Sequence, residues 1–123
     1  MQHKNINQLV KGNSDFRNTL FTNQHSQVVM MSIEPGEEIG EEVHQVDQIL
    51  VFVSGTGKAI VGGEEHEIEP GDLVDVPAGT KHNFINTGNE DWKLYTVYAP
   101  AEHKAGTMHH TKEDATNDPN EHD

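Results

Sequence analysis

The feature that most constrains this chain is the regular spacing of its turn signals between Phe16 and Ala99. Glu34-Pro35-Gly36-Glu37 and Glu69-Pro70-Gly71-Asp72 are near-copies of one another. In each, proline fixes φ at the first central position and glycine supplies positive φ at the second, which suits a type II turn. Gly62-Gly63, between Ala59-Ile60-Val61 and Glu64-Glu65-His66, reads as a two-residue hairpin loop, and Thr87-Gly88-Asn89 as the closure of a second hairpin. Breaks about every 8–12 residues leave room for strands and not for ordinary helices. Helical periodicity is absent from the same stretch. The spacing predicts strands near 16–22, 26–33, 38–44, 48–54, 56–61, 64–69, 72–76, 81–86 and 92–99. So many short antiparallel strands imply an all-β sandwich or closed barrel.

The chain divides into three segments: an N-terminal extension over 1–15, a barrel over 16–100 and a tail over 101–123. The extension is polar, with one short turn expected at Ile6 to Val10. The tail is rich in His, Asn and Asp and poor in apolar anchors, a composition that suits a solvated segment. Pro100 ends the last strand, so His103, His109 and His110 could instead fold back to close the barrel mouth or form a second metal site. On the last strand, Lys93 marks the Lys93/Tyr95/Val97 face as outer and leaves Trp92, Leu94, Thr96 and Tyr98 inward. Phe52, Phe84, Trp92, Tyr95 and Tyr98 read as core, with one or two lining a cavity, and His25 and His66 as surface residues.

Several function classes are excluded. A formal net charge of −13 repels phosphate backbones, so nucleic acid is not an expected partner. The longest apolar run, Ile49 to Val53, is too short to span a bilayer. Cysteine is absent, which removes disulfides and thiolate metal sites. The first residues are polar and argue against a signal peptide, so a cytoplasmic location is expected. Nucleophilic triad signatures, phosphate-binding glycine loops and nucleotide fingerprints are missing. The acids at Glu34, Glu37, Glu38, Glu41 and Glu42 serve solubility or draw a cation toward a site.

The residues able to carry chemistry are Glu42, His44, Gln48 and His82. Glu42 and His44 lie two apart on an expected strand, so they leave the same face. Gln45-Val46-Asp47 can fold the chain back to place Gln48 beside them, and His82 opens a strand after Pro77-Ala78-Gly79-Thr80-Lys81. Two imidazoles, a carboxylate and an amide carbonyl would suit Zn²⁺, Mn²⁺, Fe²⁺ or Ni²⁺. By spacing alone, an exposed acidic face and a structural histidine are the commoner explanation of these residues.

The wider pattern resembles the cupin superfamily. Gly36, Glu42, His44, Gln48 and Gly55 fall in frame with its first motif, in GEEIGEEVHQVDQILVFVSG. Gly71, Pro77, Gly79, His82 and Asn86 match its second, in GDLVDVPAGTKHNFIN. The resemblance implies a double-stranded β-helix, the RmlC-like jelly-roll barrel, holding one metal ion on Glu42, His44, Gln48 and His82. Two positions depart from the family pattern. Glu42 stands where a histidine is usual, and Gln48 where a glutamate is usual. One carboxylate remains, and one nitrogen donor has become oxygen. This favours a Lewis-acid metal, zinc first and manganese next, over redox chemistry at iron. The ligand types are similar to the zinc site of phosphomannose-isomerase-like cupins. The flanking wording, including Asp47-Gln48 and Tyr98-Ala99-Pro100-Ala101-Glu102-His103, resembles small single-domain bacterial cupins.

The expected protein is a homodimer, joined through Phe16 to Ile33, that binds a small carbonyl compound, acid or sugar-like molecule at its metal. Isomerase, lyase and dioxygenase chemistry all fit, and so does a non-catalytic ligand-binding or structural role.

Overall fold

The computed structural model describes residues 1–119. Among the described residues, nine strands and two short helices occur in the order α1 (Ile6–Gly12), β1 (Arg17–Thr22), β2 (Gln27–Ile33), β3 (Asp47–Ser54), β4 (Gly57–Val61), β5 (Glu64–Ile68), β6 (Leu73–Val76), β7 (His82–Ile85), β8 (Trp92–Ala99), β9 (Met108–His109) and α2 (Lys112–Asn117). A six-stranded sheet runs β6-β3-β8-β2-β1-β9, and a three-stranded sheet runs β5-β4-β7. Every pairing is antiparallel. This is the expected all-β architecture of two packed antiparallel sheets. Among the described residues no helix is long and apolar enough to cross a membrane.

Alternation along β8 shows how the core is filled. Trp92, Leu94, Thr96 and Tyr98 are buried, while Lys93, Tyr95 and Val97 lie half-buried on the outer face. Leu50, Phe52, Val29 and Met31 of the large sheet meet Ala59, Ile68 and Phe84 of the small one in a single apolar cluster. Full burial of a Val, Leu, Ile, Phe or Met side chain contributes about 1.5–3 kcal/mol. Phe52 stacks on Trp92 at 4.8 Å between ring centroids and tilts against Phe84 at 5.9 Å. Glycine at 57 makes room for the Trp92 ring, because a Cβ there would lie 2.6 Å from the ring carbons.

The structure corrects four expectations. Residues 38–44 do not form a continuous strand, and only Glu38 and Glu42 make isolated bridges, to Ile85 and His82. The ladder breaks at Gly40, which has φ +110° and gives its N–H to the Asn83 side chain at 2.9 Å. Thr87-Gly88-Asn89 does not close a hairpin, because β7 and β8 lie in different sheets. The buried Asn86 side chain instead holds this crossing, donating to the carbonyls of Ile33 at 2.8 Å and Glu90 at 2.9 Å and accepting from the Gly88 N–H at 2.9 Å. The N-terminal turn is a helix capped by Asn5, whose side chain accepts from the Gln8 N–H at 3.1 Å. Tyr95 is an outer-face residue and not part of the core.

The tail is also docked over its described residues 101–119, and residues 120–123 lie outside the described residues. Its strand β9 pairs with β1, placing His109 opposite Arg17, so the sheet continues past residue 100. Thr111 caps α2 by accepting from the Asp114 N–H at 3.1 Å. Gln27, fully buried, anchors the turn after Pro100. Its amide donates to the His103 carbonyl at 2.8 Å and to Thr22 Oγ1 at 2.9 Å, and its oxygen accepts from the N–H groups of His103 at 3.0 Å and Glu102 at 3.2 Å.

Candidate metal centre

The extended segment around Glu42 runs antiparallel to the start of β7. Glu42 and His82 exchange both backbone hydrogen bonds, each at 2.9 Å, which sets their side chains side by side on one face. His44, two residues on, projects from that same face, and its carbonyl accepts from the Gly79 N–H at 2.7 Å. Asp47 pins the turn before β7 by accepting from the Ala78 N–H at 2.9 Å. Gln48 then enters β3 opposite both Val76 and Tyr98. Local register therefore brings Glu42, His44 and His82 to one place inside the barrel.

Ligand atoms of Glu42, His44 and His82 all lie within 4.8 Å of one another. His44 Nε2 is 3.6 Å from Glu42 Oε1, and the two imidazole centroids are 5.0 Å apart. His44, Gln48 and His82 are 4%, 3% and 2% exposed, so the centre is almost sealed. His82 Nδ1–H donates to the Thr80 carbonyl at 2.8 Å. That bond selects the tautomer with its lone pair on Nε2, the form a metal requires.

Gln48 provides the test of fit. Its amide Nε2 donates to Thr96 Oγ1 at 3.1 Å and to the Tyr98 hydroxyl at 3.3 Å. With both hydrogens directed away, Oε1 is left buried and without a hydrogen-bond partner. A buried carbonyl oxygen in that condition costs about 1–3 kcal/mol. Ligation of a cation would offset that cost, and the set of two nitrogen and two oxygen donors suits a divalent ion.

The electrostatics point the same way. Burial disfavours a charged His44, but hydrogen bonds to Glu102 and Glu42, with their charges, outweigh it and push His44 up to about 10. A cation taken up at Nε2 would displace that proton. Glu102 Oε1 lies 3.1 Å from His44 Nδ1, on the ring edge away from Glu42. Reading the sequence missed Glu102, although Glu102-His103 stands directly after the Pro100 turn. Glu41 points outward to Lys81 at 3.3 Å.

Among the described residues the tail histidines do not join into a second metal site. His103 Nε2 lies 3.4 Å from the Tyr98 hydroxyl. His109, buried, bridges Arg17 at 3.3 Å and Asp118 at 2.8 Å. His110 is exposed and bonds Asp15 at 2.5 Å, and that bond raises its pKa. His25 and His66 lie on the surface as expected.

A family model described as the cupin domain matches residues 29–98. The chain belongs to the cupin family. Bacillus subtilis YrkC is 46% identical to this cupin over 118 residues, covering 90% of the chain and 63% of YrkC. The chain thus spans less than two-thirds of that relative. The crystal structure of Bacillus halodurans BH2720 superposes with a TM-score of 0.92 at 41% identity, covering 94% of this chain and 92% of that one. A Thermotoga maritima protein described as a predicted oxalate decarboxylase superposes with a TM-score of 0.60 at 26% identity, covering 64% of this chain and 70% of that one.

Proposed function

We propose that this cupin holds one divalent metal ion on Glu42, His44, Gln48 and His82 and uses it to bind and transform a small oxygen-bearing molecule. The observation that carries the reading is the cluster of one carboxylate and two imidazoles, and the buried, partnerless Gln48 Oε1 supports it. When bound, the ion supplies Lewis-acid polarisation of a substrate oxygen. The chain supplies the rest. Thr96 and Tyr98 hold the Gln48 amide in one orientation. Thr80 sets the His82 tautomer. Tyr98 and His103, within hydrogen-bond reach of each other, are the groups placed to hold or move a proton beside the site. Zinc is the expected metal, with manganese, iron and nickel as alternatives. A small organic acid is the substrate class suggested by the Thermotoga maritima neighbour. A cytoplasmic setting belongs to the same proposal and rests on the acidic, cysteine-free composition.

A second reading, a structural metal, draws on the near-complete burial of the centre. Elemental analysis of the purified protein, followed by melting with and without small dicarboxylic and hydroxy acids, separates the two. One bound ion and a metal-dependent rise in Tm with an acid support a centre that takes a small acid at its metal, and conversion of that acid, followed by NMR, supports the enzyme. A bound ion with no Tm response to any acid supports the structural role. Absence of metal affinity refutes both.

A further inference from the structure

Residue 102 lies beyond the matched cupin segment, yet its carboxylate reaches the centre. Glu102 Oε1 stands 3.1 Å from His44 Nδ1, and the His44 ring is 4% exposed. The approach is built and not incidental. The Glu102 and His103 N–H groups both donate to Gln27 Oε1, and the Gln27 amide donates back to the His103 carbonyl. Gln27 is fully buried, so the backbone carrying Glu102 is fixed to β2. We infer that Glu102 is a positioning residue of the metal centre: it accepts the Nδ1–H of His44, fixes the ring's rotation, and presents Nε2 to the ion. The inference rests on the proposed metal centre. Its chemistry is that of a carboxylate behind a ligating imidazole, which fixes the tautomer and makes the ligand nitrogen more basic. The two histidine ligands are then oriented differently, His82 by a neutral backbone carbonyl and His44 by a charged carboxylate.

The test is zinc titration of the metal-stripped full-length protein against a chromophoric chelator, for the wild type, Glu102→Gln, Glu102→Ala and His82→Ala. Loss of such a partner weakens metal affinity about 10–100-fold. Glu102→Ala should show that loss, and Glu102→Gln a smaller one, because its amide oxygen still accepts from Nδ1–H. The metal-free Tm should fall in both, because the metal-free centre also loses the Glu102–His44 contact, so the titration is read at a temperature where each variant is folded. Long-range ¹H–¹⁵N spectra of the zinc-loaded wild type should show His44 protonated at Nδ1, and Glu102→Ala should broaden or shift that signal. Affinity of Glu102→Ala within twofold of wild type overturns the inference. Affinity abolished as fully as in His82→Ala also overturns it, because Glu102 would then be a ligand. If the wild type binds no zinc, or His82→Ala binds as tightly, the metal centre itself fails.

Discussion

Replacing Gln27 with leucine probes the attachment of the tail most directly. The change keeps side-chain size close to constant and removes four hydrogen bonds. Thr22 and Glu102 are near enough to solvent to recover partners from water. The His103 N–H and carbonyl belong to a residue that is 4% exposed and cannot do so without movement. Two stranded backbone groups at about 1–3 kcal/mol each give roughly 2–6 kcal/mol. Leucine returns part of this through its own apolar burial, leaving a net loss of about 2–4 kcal/mol. At roughly 3–5 °C per kcal/mol for a domain of this size, Tm should fall by about 10 °C. Urea denaturation measures the free energy, and amide hydrogen exchange at Glu102 and His103 locates it. Both amides should lose protection, while those of β3 and β8 exchange only with global unfolding. A loss below about 1 kcal/mol with the His103 amide still protected would refute the view that Gln27 anchors the tail.

Other outcomes are expected from the same structure. Metal affinity should fall as pH is lowered from 8 to 5, because both imidazoles must be deprotonated to bind; flat affinity by competition titration would contradict the ligand set. Gly57→Ala should cost about 1–3 kcal/mol in urea denaturation, since its Cβ meets the fully buried Trp92 ring at 2.6 Å, and an unchanged midpoint would show that the ring can yield. The bond to Asp15 raises the His110 pKa in the folded state, so its stabilisation is complete below the ordinary histidine value of about 6.5 and is lost as pH rises through the folded value. The Tm gap between wild type and His110→Gln should therefore be largest near pH 6 and close in alkaline solution, and a gap independent of pH would reject the pairing. Light scattering at micromolar concentration should give a dimer mass, with the outer face of β1 and β2 around Leu20, Phe21 and Val28 as the proposed contact; a monomer mass rejects it.

Much of the barrel was legible because its determinants are local. Proline and glycine at the turns, and alternation along segments such as Trp92 to Tyr98, act within a few residues. The failure at 38–44 has a non-local cause. Gly40 gives up its ladder bond to the side chain of Asn83, a distant residue that no reading of the local pattern brings near. The docked tail was missed for a related reason. Composition looks for apolar anchors, and this tail is held by polar ones: Gln27 on His103, Arg17 and Asp118 on His109, and Asp15 on His110. The candidate residues Glu42, His44 and His82 were findable through the motif resemblance, whereas the pairing of Glu42 with His82 is visible only in the structure. Glu102, 58 positions away from His44, had no such signal.

The Gln27 anchor bears on how relatives of this chain should be compared. The matched family segment ends at residue 98, just short of the carboxylate that meets His44. Two cupins could therefore agree at every barrel ligand and still differ in how tightly they hold a metal, according to the residues that come after their last long strand. Grouping by barrel motif alone would merge them. The informative comparison joins three distant positions: an amide at the start of β2, an acid just after the turn at Pro100, and the histidine whose ring that acid holds.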